Sequence, residues 1–206
     1  MRRRDYDRGM TGGAEALAGL TTPRVDTRGA ERRALAIATL DDLAREVDRI
    51  EHAARPEGEG LRVTGNWSAG QIMIHIARLI ERSMDGFGAL PVSERPIPTG
   101  FRAIAVKAQR AGDAAAERSL RERALAAPMV PYGLSAALPG EIDPPVQAWT
   151  PDGAARLRST LGRIRAGHPM DKPSPTMSRL SQEEWATVHL RHAELHLSFI
   201  ILGQHR

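Results

Sequence analysis

The chain has 206 residues, 41% hydrophobic, 26% charged and 4% aromatic, and contains no cysteine. That suits one folded domain of ordinary size, gives no apolar run long enough for a membrane span, and excludes disulfides, thiolate metal sites, iron–sulfur clusters and a cysteine nucleophile. The net charge of +4 is concentrated at the start, with +3 in residues 1–33 and +1 in the rest, so the body lacks the basic excess that holds nucleic acid.

Residues 1–33 show no sustained apolar period and read as a disordered basic leader. Within them Arg3-Arg4-Asp5-Tyr6-Asp7-Arg8 resembles a twin-arginine export signal in degenerate form, because Asp7 stands where that signal carries an apolar residue. The expected location is cytoplasmic, with export through that signal as the alternative. Residues 34–206 are expected to form a single helical domain with an insertion at 89–148.

The first helix is expected from Asp41 to about Ala54. Thr39 is its N-cap candidate, Asp41 and Asp42 suit the positive end of the helix dipole, and Leu40, Leu43, Val47 and Ile50 form its apolar stripe. Pro56 and the glycines after it break the pattern. A second helix starts near Trp67 or Ser68 and runs to about Gly86, with Ile72, His75, Ile76, Leu79 and Ile80 on one side. Prolines divide residues 89–148 and leave one short helix around Phe101–Leu125. The apolar residues of this stretch are expected to fold over the His75, His192 and His196 end of the bundle as a lid, the alternative being a cover along the sides of the helices. A third helix is expected from Thr150, read as a cap followed by Pro151, to about Arg165. The last begins at Ser181, where Ser181-Gln182-Glu183-Glu184 is a capping box, and continues to about Leu202. Four long amphipathic helices and no persuasive strand predict an all-α four-helix bundle. Its second and third helices are joined by a long, partly helical connection.

Three of the seven histidines fall close together. At 100° per residue His189, His192 and His196 project from one face of the last helix, beside Trp185 and Phe199. His192 and His196, one turn apart, can converge on one ion, whereas the plainer reading has all three satisfied by hydrogen bonds at a helix surface. Burial among aromatic residues favours a shared partner, since buried polar groups without one are costly. Any such site must use histidine and carboxylate.

Residues Gly65-Asn66-Trp67-Ser68-Ala69-Gly70-Gln71-Ile72-Met73-Ile74-His75-Ile76-Ala77 and His189-Leu190-Arg191-His192-Ala193-Glu194-Leu195-His196-Leu197-Ser198-Phe199 resemble the two signatures of the DinB-like superfamily. More narrowly, they resemble one of its domain-of-unknown-function families. The likeness covers roughly residues 31–203. It implies a four-helix bundle holding one metal on His75, His192 and His196. His189 is the rival ligand, and His189, Gln71 and Trp185 are candidates for support or pocket wall. Trp67 is read as core, Glu194 as facing solvent or holding an arginine, and His52 and His168 as surface residues.

Three imidazoles leave coordination positions open, as in catalytic rather than structural sites, and zinc, nickel and ferrous iron all accept them. The resemblance implies a divalent-metal-dependent enzyme, with a transferase that uses a low-molecular-weight thiol cosubstrate as the leading reading. The alternatives are a metal-hydroxide hydrolase and a non-catalytic metal-binding or structural bundle. A small-molecule substrate and a homodimer are the expected partners, without nucleic acid or a membrane span.

Overall fold

The computed structural model describes residues 25–87, 115, 118, 121, 122, 125, 142, 144–174, 177 and 179–203. Most of the expected leader and of the 89–148 insertion, including any lid, lies outside the described residues.

Four helices carry the fold: α1 (Leu40–Ala53), α2 (Ala69–Asp85), α3 (Thr150–Arg165) and α4 (Gln182–Leu197). Three of them begin on capping boxes. Thr39 with Asp42, Ser68 with Gln71 and Ser181 with Glu184 each exchange side-chain and backbone hydrogen bonds across the first turn. That satisfies amide groups which the helix itself leaves unpaired. In α3 the cap position belongs to Trp149, with no side-chain cap bond, and Thr150 is already helical. The expected Thr150 cap is therefore displaced by one residue. Pro151, with no N–H to satisfy and φ already near the helical value, suits this start.

α3 and α4 each pack against both α1 and α2. Leu43, Val47 and Ile50 of α1, Ile72, Met73, Ile76 and Ile80 of α2, Leu157 and Leu161 of α3, and Trp185 and Leu197 of α4 meet in one core. Each such aliphatic side chain contributes about 1.5–3 kcal/mol on removal from water. Between α2 and α3 the approach is very close: a Cβ on Gly153 would lie 2.5 Å from the carbonyl oxygen of Gly70. Outside that contact α3 is bordered by ion pairs, Arg156 with Glu81, Arg158 with Asp48 and Glu51, Arg163 with Asp85, and Arg165 with Asp41. The arginines of this helix are thus spent on its neighbours. Exposed pairs of this kind contribute at most about 1 kcal/mol each.

The expectation of no strand is corrected. β1 (Leu61–Val63) and β2 (Ile200–Leu202) form a two-stranded antiparallel sheet with Leu61 opposite Leu202 and Val63 opposite Ile200. α4 consequently ends at Leu197, capped by Ser198, and not near Leu202. Phe199-Ile200-Ile201-Leu202 is apolar in either reading. The choice falls to the strand because β1, distant in sequence, offers it a ladder partner and Gly60 accepts from Gly203 N–H at 3.0 Å.

Residues 25–33, the described end of the expected leader, are attached to this body. Val25 and Asn66 exchange two hydrogen bonds, Arg33 N–H donates to the Ser198 carbonyl at 2.8 Å, and the Arg33 side chain pairs with the buried Glu46. In the insertion Arg121 pairs with Glu184 in the first turn of α4, and Leu125 packs on the core. Among the described residues no helix is long and apolar enough to cross a membrane.

Candidate metal centre

His75 lies midway along α2, while His192 and His196 face it from successive turns of α4. The Ser68 and Ser181 caps fix where these helices begin, and hence which residues turn toward the α2–α4 seam. One nitrogen from each ring lies within 4.8 Å of the other two. The His75 and His192 Nε2 atoms are 3.1 Å apart, and the ring centroids of the three pairs are 4.4–4.9 Å apart.

The second nitrogen of His75 decides its tautomer. Nδ1 is 2.8 Å from the carbonyl oxygen of Ile142, and a carbonyl can only accept, so Nδ1 carries the proton and Nε2 presents a lone pair to the cluster. Burial, first of all, pushes His75 down to about 4, the Ile142 carbonyl opposes this, and nearby Arg78 adds to it. Burial also holds His192 and His196 well below the ordinary histidine range, reinforced by their histidine neighbours. All three rings are neutral at pH 7 and able to act as ligands.

These residues fit a metal ion. Nitrogens bound tetrahedrally to one ion at 2.0–2.2 Å are about 3.3–3.6 Å apart, so the His75–His192 pair at 3.1 Å is near ligand spacing and the set, all within 4.8 Å, closes on an ion with a shift of about 1 Å. A ring proton held by a backbone carbonyl is the usual outer contact of a metal-binding histidine. His192 Nδ1 is buried without a hydrogen-bond partner among the described residues.

Trp67, read from the sequence as core, is half-buried and belongs to this site. Its ring is tilted against His75 at 4.6 Å and stacked on His196 at 5.6 Å. Its position one residue before the cap of α2 is the sequence signal for this role, because that place overhangs the first turns of the helix. Ile142 was missed because its contribution is a backbone carbonyl, to which side-chain identity gives no clue.

The other expected residues are not among the three that converge. His189 is fully buried, one turn before His192, and its Nε2 lies 2.9 Å from Ser83 Oγ. Ser83 spends its own proton on the Ile80 carbonyl at 2.6 Å, so His189 is the donor and carries its proton on Nε2. Burial pushes it down to about 3, and Nδ1 is a bare buried acceptor. Trp185 stacks on His189 at 5.1 Å with planes 13° apart, and its Nε1 donates to the Lys172 carbonyl. Trp185 therefore packs against His189. Gln71 bonds to the backbone of Ser68, Pro145 and Val146. Glu194 accepts from Arg191 and from the Ile37 N–H, which fastens the segment before α1 onto α4. His52 and His168 are exposed.

The family model described as Protein of unknown function (DUF1569) matches residues 29–202. No curated protein and no solved structure matches the chain.

Proposed function

The chain belongs to this family, whose description assigns no activity, and we propose that it is a small metalloenzyme of the DinB-like type in which His75, His192 and His196 hold one divalent metal. The observation that carries this reading is the convergence of three neutral imidazole nitrogens within 4.8 Å, one of them oriented by the Ile142 carbonyl. Zinc, nickel and ferrous iron all suit such a set. When bound, an ion with three imidazole ligands keeps a position for water or a thiol and lowers the pKa of that group.

The chain's own residues supply the rest. Ile142 holds the His75 proton away from the cluster, and Trp67 offers an aromatic wall beside His75 and His196 on which the apolar part of a small substrate can lie. With no cysteine in the chain, thiol chemistry here requires a low-molecular-weight thiol as cosubstrate. We assign the reaction class as thiol-dependent transfer to a small electrophile.

Elemental analysis of protein purified without a histidine tag tests the metal, and turnover of small electrophiles with and without added thiols tests the class. Stoichiometric metal with thiol-dependent turnover is expected. Turnover that persists without thiol would make the protein a hydrolase, and metal with no turnover would leave a binding module. Absence of metal after incubation with zinc, nickel or ferrous iron would overturn the reading.

A further inference from the structure

We infer that Gln71 is a positioning residue for His75, acting through the backbone of residues 144–149, which it grips. Gln71 Nε2 donates to the carbonyls of Pro145 and Val146, each at 2.8 Å, and Ser68 Oγ donates to that of Ala148 at 3.1 Å. Gly70 permits the approach, since a Cβ there would lie 2.3 Å from the Trp149 carbonyl oxygen and 2.6 Å from that of Ala148. A stretch of backbone is thus laid along the first turn of α2 and fastened at both Gln71 and Ser68.

Just before it, the buried Ile142 turns its carbonyl to His75 Nδ1. Ile142 is three residues from Pro145, a span of roughly 10 Å at most. Pro144 and Pro145 have φ fixed by their rings, which stiffens the end of that span next to the Gln71 contacts. Mid-helix carbonyls of α2 are engaged in the helix's own hydrogen bonds, so the acceptor for His75 comes from outside the helix. The Gln71 amide therefore sets where the Ile142 carbonyl stands, and that carbonyl decides which ring nitrogen of His75 faces His192 and His196.

For its metal arm the inference rests on the proposed function; its tautomer arm does not. Gln71→Glu is the discriminating variant. A carboxylate still accepts from the Ser68 N–H, as Gln71 Oε1 does at 2.8 Å, so the capping box survives while both donors to Pro145 and Val146 are lost. In metal-free protein, nitrogen-15 NMR of the histidine rings should show wild-type His75 as the Nδ1–H form and the variant as a mixture of both tautomers. Zinc titration should show a 10–100-fold loss of affinity, the usual effect of removing outer support from a histidine ligand. The melting midpoint of the metal-free protein should change by only a few degrees. Gln71→Met, which removes the donors without adding a charge, repeats the comparison if the first variant folds poorly. An unchanged His75 tautomer in both variants overturns the inference, as does unchanged zinc affinity. If wild-type protein takes up no zinc, the metal reading fails and the tautomer measurement alone decides the role of Gln71.

Discussion

One turn of α4 separates two buried histidines that meet opposite circumstances. His189 gives its proton to Ser83, which passes its own to the backbone of α2, and its ring lies flat on Trp185. His192 Nε2 lies 3.1 Å from Nε2 of His75, a bare acceptor because that ring carries its proton on Nδ1. Both sit in the same seam, both are held neutral, and only one belongs to a cluster that an ion could fill. Burial of a histidine is thus a poor guide to metal binding. What its ring nitrogen meets is the better one: His189 bonds to a serine hydroxyl, whereas His192 faces the ring nitrogen of another histidine, a lone pair that a cation can also take.

The largest expected effect is on metal content. His192→Ala should abolish stoichiometric metal, while His189→Phe, which keeps the stack on Trp185, should retain it. Equal loss in both, measured by elemental analysis, would merge the two regions into one site.

Stability should show the reverse emphasis. His189→Ala empties a fully buried position and should cost roughly 2–5 kcal/mol in denaturant unfolding, by analogy with other core truncations. His189→Phe should recover most of that loss. A negligible cost for the alanine variant would mean that the Ser83–His189–Trp185 packing is incidental.

A smaller effect concerns pH. His189 is held down to about 3 against an ordinary 6.5, so between those values the unfolded chain binds the proton and the folded chain does not. The stability of metal-free protein should therefore be complete above about pH 6.5 and decline as the pH falls toward 3. His189→Phe should make that decline shallower in unfolding curves at pH 7 and pH 5. Parallel declines would remove His189 from the account.

The two regions also carry separate optical reporters. Trp67 lies against His75 and His196, and Trp185 against His189. Cobalt(II) should quench tryptophan emission, and Trp67→Phe should remove most of the metal-dependent part while Trp185→Phe leaves it. Quenching that survives Trp67→Phe would place the ion away from His75 and His196.

Where the physics is local, the sequence was sufficient. The Ser68 and Ser181 capping boxes are complete within four residues, so the starts of α2 and α4 were legible, and with them the face shared by His189, His192 and His196. The apolar stripe of α1 and the i, i+4 pair on α4 follow from the same 3.6-residue period. His75 entered through its flanking motif, because periodicity alone cannot say which helix lies opposite α4. Tertiary structure decided the rest. α4 stops at Leu197 because β2 has β1 to pair with, a contact that no short window contains. His189 stands outside the cluster because Ser83 of α2 reaches its ring, and Trp67 joins it because the segment before α2 lies over the seam. The tautomer of His75 depends on the Ile142 carbonyl, a group that every residue type carries, so its position alone gives it a role.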